Sequence, residues 1–136
     1  MHTPASRALA LRTIAVAYPG SAEQISVVRA DLGLLLGGCP MADDVVLCAS
    51  ELATNAVLHS RSGRQGGIFT VRASIAFGHS VQVEVEDRGG SWISATAEPD
   101  RYHGLDIIGA LATDWGIIGD HIVRTIWARF DWPHTA

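Results

Sequence analysis

Between Val45 and Leu58 the chain runs almost unbroken through apolar residues, and the few polar side chains inside that run are regularly spaced. Read as a helix, Glu51, Asn55 and His59 fall at i, i+4 and i+8. That spacing stacks them on one face, drifting by about 40° per step. Leu47, Ala49, Leu52, Ala53, Ala56 and Val57 fill most of the remaining circumference. A helix that is apolar on most sides has to be covered by other layers. Any fold for this chain must therefore wrap itself around 45–58 and leave one strip of acid, amide and imidazole.

Such a strip suits phosphate chemistry. A carboxylate can act as general base toward a water or a hydroxyl. An amide one turn away offers its carbonyl oxygen to a hard cation such as Mg2+ without adding charge beside a phosphate. An imidazole one turn further can hydrogen-bond phosphate oxygens. The plainer alternative is a half-exposed helix with a solvated polar stripe, and this stretch alone does not separate the two.

With 136 residues, 48% of them hydrophobic, the chain suits one compact domain with its own core. A net charge of −4 argues against a broad nucleic-acid surface. No lysine is present, so phosphate contacts would have to come from Arg, His, backbone amides or a metal. Cys39 and Cys48 lack metal-type spacing and do not suggest a disulfide scaffold. Cys48, inside the apolar helix, reads as a small core residue. No stretch is long enough to span a membrane. Arg12 interrupts the apolar start between Met1 and Tyr18, against a signal peptide. The expectation is a cytoplasmic protein.

The rest of the chain divides at its glycines and prolines. Residues 1–8 are expected to be disordered and 9–132 to form the domain. Leu9 to Tyr18 reads as a strand ended by Pro19-Gly20. Ser21 to Gln24 resembles a capping box and opens a helix carried by Ile25, Val28, Leu32 and Leu35 to Leu36, before Gly37-Gly38. Arg29 on that helix reads as a solvated cation. Asp43 or its neighbour starts the central helix, and Arg61 to Gly67 is a polar, glycine-rich loop. Ile68 to Phe77 reads as a strand with Phe69, Val71, Ala73, Ile75 and Phe77 on one face. Gly78-His79 suits a tight turn. Ser91 to His103 reads as a lid-like loop, and Gly104 opens a helix to about Asp114 whose N-terminus could meet an anion. Trp115 to Ile118 and Ile122 to Phe130 are the last two strands. Two local hairpins and three helices predict an α/β (α+β) two-layer sandwich, with a mixed, mostly antiparallel sheet and helices on one face.

One residue breaks the alternation. On the strand after Gly78, period 2 puts Val81, Val83 and Val85 inward, and Asp87 continues that row. A buried carboxylate is costly without partners. Either the strand ends and Asp87 caps the turn at Gly89-Gly90, or Asp87 sits at the mouth of a pocket and accepts a hydrogen bond from a ligand amine. In the second case Gly89-Gly90 would allow a ring to come close to the backbone.

The segments Glu51-Leu52-Ala53-Thr54-Asn55-Ala56-Val57-Leu58-His59, Val83 to Gly90 and His103-Gly104-Leu105-Asp106-Ile107-Ile108 together resemble known signatures. They are similar to the N box and two glycine boxes of the histidine kinase-like ATPases, the Bergerat fold that gyrase, mismatch-repair and heat-shock chaperone ATPases share. Within that group the likeness is nearest to the small stand-alone bacterial anti-sigma-factor serine/threonine kinases, over about Thr13 to Phe130. The resemblance implies ATP and Mg2+ as cofactors. It implies Glu51 as general base, Asn55 as Mg2+ ligand, and Asp87 as acceptor of the adenine amine, which would disfavour GTP. Gly89 and Gly90 would shape the adenine pocket, Gly104 and Leu105 would open a helix toward the phosphates, and His59 would belong to the same nucleotide-binding set. Two departures stand out. Ser91 replaces the last glycine of the first box, and Tyr102 and His103 stand where the second box has an earlier Gly followed by Arg. The length leaves no room for a phospho-acceptor dimerisation domain, which points away from a complete sensor kinase.

The resemblance implies transfer of the γ-phosphoryl group of ATP to a Ser or Thr of a small partner protein, an anti-sigma-factor antagonist. The alternative is a non-catalytic module that holds ATP or ADP and acts by associating with a sigma factor or its antagonist. Direct nucleic-acid contact is not expected, and a homodimer is within what the resemblance implies.

Overall fold

The computed structural model describes residues 11–89 and 103–134. The expectations for residues 1–8, for Gly90 and for the loop from Ser91 to Tyr102 lie outside the described residues.

Five strands and three helices follow one another: β1 (Leu11–Pro19), α1 (Gln24–Leu35), α2 (Ala42–His59), a short 3-10 turn (Arg61–Gly63), β2 (Ile68–Ala76), β3 (Ser80–Asp87), α3 (His103–Leu111), β4 (Asp114–Gly119) and β5 (Arg124–Asp131). The sheet order is β1-β2-β3-β5-β4. Every pairing is antiparallel, so the mixed component expected of the sheet is absent among these strands. The chain leaves β3 at one end, crosses through α3 and returns by the β4–β5 hairpin. That route brings β5 alongside β3 running the opposite way.

Period 2 holds through the three central strands, where buried and half-buried residues alternate. The inward rows are Phe69, Val71, Ala73 and Ile75 on β2, Val81, Val83 and Val85 on β3, and Ile126, Ala128 and Phe130 on β5. Phe77 leaves its row because β2 ends at Ala76; it is 41% exposed. Gly78, at φ +81°, makes the turn between β2 and β3 with the amide of His79 donating to the carbonyl of Ala76. Only glycine adopts that φ at little cost.

The helices lie on the inward face. α2 contributes Val45, Cys48, Ala49, Leu52, Ala53 and Ala56 to the core, and its small Ala49, Ala53 and Ala56 permit close approach to the strands. α1 adds Val28 and Leu32, and α3 adds Ile108. Tyr18 ties β1 to this layer: its ring stacks on Phe69 at 5.5 Å between centroids, and its hydroxyl donates to Asp31 Oδ2 at 2.7 Å. Burial and the neighbouring Asp31 both raise the Tyr18 pKa.

The expected capping box at Ser21 to Gln24 does not form. α1 begins at Gln24 with Glu23 at the cap position and no side-chain cap bond. The Glu23 carboxylate instead accepts from its own backbone and from Ser21, which lowers its pKa. α3 closes at Leu111 rather than near Asp114, because Asp114 opens β4.

Candidate functional site

α2 carries the predicted strip as expected. Glu51 is half-buried and lines a groove of about 490 Å3 between α1 and α2, bordered also by Arg29, Asp43 and Ser50. Asn55, one turn on, is buried at 7% exposure, and its side-chain nitrogen meets no hydrogen-bond partner among the described residues. A buried amide without a partner costs on the order of 1–3 kcal/mol. An amide carries a donor nitrogen and an acceptor oxygen, and a half-turn exchanges them. His59, at the last turn, is half-buried and engaged with another group. Beneath Glu51, Cys48 is fully buried; burial, with the charges of Asp44 and Glu51, pushes its thiol up to about 12. That thiol is a core group without nucleophilic reactivity.

Of the two alternatives left by the sequence, the structure shows the first: β3 ends at Asp87, which caps the turn that follows. Asp87 points inward at 3% exposure, and its Oδ1 accepts the Gly89 amide at 2.7 Å. Gly89 has φ +69°, and a Cβ there would run into the backbone carbonyl of His121. Glycine at 89 therefore has a packing reason of its own, the close passage of the β4–β5 turn. Gly104 and Leu105 lie in the first turn of α3, whose half-buried Leu105 packs against the core.

Two residues of this region were missed in the sequence. Arg124 pairs with Asp87 across β3 and β5, its Nη2 3.7 Å from Asp87 Oδ1, and is 4% exposed. Burial lowers the Arg124 pKa and the charge of Asp87 opposes that shift. The signal was present: Phe130, Ala128, Ile126 and Arg124 share one face at period 2. Ser62 is fully buried, and its hydroxyl accepts from the Arg88 amide at 2.9 Å while the Arg61 amide donates to the Gly89 carbonyl at 3.0 Å. These bonds strap the loop after α2 to the segment after Asp87. Nothing in a polar, glycine-rich loop distinguishes that serine beforehand.

The described residues contain no group of three or more His, Cys, Asp or Glu side chains able to hold a metal ion by themselves. No helix among the described residues is long and apolar enough to cross a membrane.

The family model for the histidine kinase-like ATPase domain matches residues 18–129. Among solved structures, the chain is similar to the RsbU and RsbW domains of Rv1364c from Mycobacterium tuberculosis, with a TM-score of 0.71 at 23% identity. The match covers 88% of this chain and 32% of that one, so the chain spans about a third of that relative. It is also similar to a chain in the SiaB–SiaC complex from Pseudomonas aeruginosa, with a TM-score of 0.62 at 14% identity over 86% of this chain and 88% of that one. No curated protein matches the sequence.

Proposed function

The chain belongs to the histidine kinase-like ATPase domain family, and from that premise we propose that it binds ATP with Mg2+ and transfers the γ-phosphoryl group to a Ser or Thr of a small partner protein. The observation that carries this is Asn55: a buried amide whose nitrogen has no partner among the described residues, one turn from Glu51 on the same helix. An amide left open in that place fits a phosphate-bound cation or a phosphate oxygen.

The roles divide as follows. Asn55 would hold Mg2+ together with phosphate oxygens, and His59 lies one turn further along the same strip. Asp87 would accept the 6-amino group of the base, with Gly89 and Gly90 beside it. Gly104 and Leu105 in the first turn of α3 would turn backbone amides toward phosphate. Bound Mg-ATP supplies the phosphoryl group and a cation that neutralises its charge. Glu51 then takes the proton from the partner's hydroxyl, reached through the groove between α1 and α2. Little covalent work falls to the protein, so positioning and charge account for the catalysis.

A second reading is a nucleotide-holding module that acts by association with a sigma factor or an antagonist. Tyr102 and His103, in place of the usual Gly and Arg before Gly104, favour it. A protein partner is in keeping with the fold's presence in a two-protein complex.

Glu51→Gln separates the two. Removal of a general base costs about 10²–10⁴ in rate and should leave nucleotide binding nearly unchanged. Transfer of labelled γ-phosphate, or slow loss of ATP, is expected in the wild type and lost in the variant. A wild type inert in both assays, yet binding ATP, would select the module. Asn55→Ala should weaken Mg-ATP much more than metal-free ATP in parallel titrations, since the amide's partner would be the cation; equal losses would mark a folding defect.

A further inference from the structure

The loop after α2 and the residue after β3 bring two arginines to one cavity. Arg61 and Arg88 are both exposed and line an open space of about 430 Å3, with Gln65, Gly66, Gly67 and Ile122 as its other walls. Arg64, exposed in the same loop, does not line it. Arg72, Arg124 and Arg129 each meet a carboxylate, whereas among the described residues no carboxylate pairs with Arg61 or Arg88. The acid of the β4–β5 turn, Asp120, already accepts from the amides of Ile122 and Val123. Only the side chains of the two arginines are open. Their amides are engaged, Arg61 with the Gly89 carbonyl at 3.0 Å and Arg88 with Ser62 Oγ at 2.9 Å. Two unmatched guanidinia on one cavity make a local positive field on a chain of net charge −4, and such a field steers anions.

We propose that this cavity docks an acidic segment of a protein partner, with carboxylates on Arg61 and Arg88 and an apolar side chain on Ile122. The forked guanidinium takes a carboxylate through two parallel hydrogen bonds. The other walls choose a peptide over a small anion. Ile122 is 57% exposed and offers a phosphate nothing, but it gives an apolar side chain a surface to cover. A Cβ on Gly66 would meet nothing within 4 Å, so the ground above it is open, and without a side chain it lets an extended backbone lie close. Gln65 carries both a donor and an acceptor for a peptide group. None of the lining residues has a role in the nucleotide reading, so the proposal stands or falls apart from it.

The test is a titration of the whole isotope-labelled chain, followed by amide chemical shifts, with a blocked peptide of alternating Glu and Leu. The same peptide with Gln in place of Glu, and inorganic phosphate, are titrated in parallel. Saturable shifts are expected at Arg61, Gly66, Gly67, Arg88 and Ile122 with the Glu peptide only, weakening as salt is raised because the charges are exposed. Arg61→Glu and Arg88→Glu should each weaken binding by about fivefold or more, since each removes one attraction and adds a repulsion. Arg64→Glu changes the net charge equally and should weaken binding by less than about twofold at physiological salt, where screening is nearly complete beyond about 8 Å. All three replacements leave the backbone bonds of the loop in place, and circular dichroism checks the fold. Absence of shifts at these amides would overturn the proposal. Equal losses in Arg64→Glu and the two lining variants would overturn it too, by reducing the effect to net charge. Phosphate moving the same amides as strongly as the Glu peptide would overturn the peptide assignment in favour of a small-anion site.

Discussion

Two arginine–carboxylate groups cross the same sheet on opposite faces. On the outer face, Arg72 donates through Nε to Glu84 at 2.9 Å and through Nη2 to Glu86 at 2.7 Å, with all three side chains about a third exposed. These contacts raise the Arg72 pKa. On the inner face, Arg124 and Asp87 are nearly inaccessible and stand 3.7 Å apart. The outer group has the better hydrogen bonds, yet water screens it and solvates each partner if the other is lost. The inner group has the looser contact and no such recourse. Short distances thus identify the decorative pair, and burial identifies the consequential one.

Breaking the inner pair should give the largest stability effect. Asp87→Ala leaves the Arg124 guanidinium buried without its counter-charge, and loss of one partner from a buried pair costs about 3–5 kcal/mol. Urea unfolding followed by circular dichroism would measure it. A loss below about 1 kcal/mol would place the inner pair in the same class as the outer one.

The same contrast explains what the sequence could disclose. The strip on α2 and the inward position of Asp87 were legible because each is a polar residue interrupting a strict apolar period, 3.6 on the helix and 2 on the strand. Both follow from local geometry. Arg124 obeys the same period 2 within the strand expected over Ile122 to Phe130, which the structure opens only at Arg124. Its meaning depends on the β3–β5 register, which joins segments separated by a helix and a hairpin. The mostly antiparallel character of the sheet was legible from its local hairpins, whereas the strand order β1-β2-β3-β5-β4 was not, since their mutual pairing joins distant segments. The reason for glycine at 89 lies in His121, 32 positions away in the chain. At Ser21 the error was local: Glu23 and Gln24 both offered an acceptor, and the carboxylate of Glu23 took the hydroxyl.

A smaller effect separates charge from shape at the inner pair. Asp87→Asn keeps the size of the side chain and one acceptor oxygen but removes the charge. Under the nucleotide reading it should cost about 1–3 kcal/mol of ATP affinity, the range for a buried polar group left poorly matched. Titration calorimetry at fixed Mg2+ would report it. Unchanged affinity would detach Asp87 from the base while leaving its part in the sheet intact.

The smallest effect belongs to the outer face. Arg72→Ala removes both bonds to Glu84 and Glu86, and Arg72 is directly opposite Glu84 in the β2–β3 ladder. Exposed pairs contribute about 0.2–1 kcal/mol each, and the freed carboxylates recover water. Glu84 also keeps the amide of Gln82 at 3.2 Å. The expected loss is therefore at most about 1–2 kcal/mol for the two bonds together, and it should shrink as salt screens the charges. Urea unfolding at low and high ionic strength would resolve the two faces directly. Nucleotide affinity should not move in Arg72→Ala, because its side chain lies on the side of the sheet away from the helices. A loss matching that of Asp87→Ala, insensitive to salt, would show that the outer network is as isolated from water as the inner pair, and burial would no longer distinguish them.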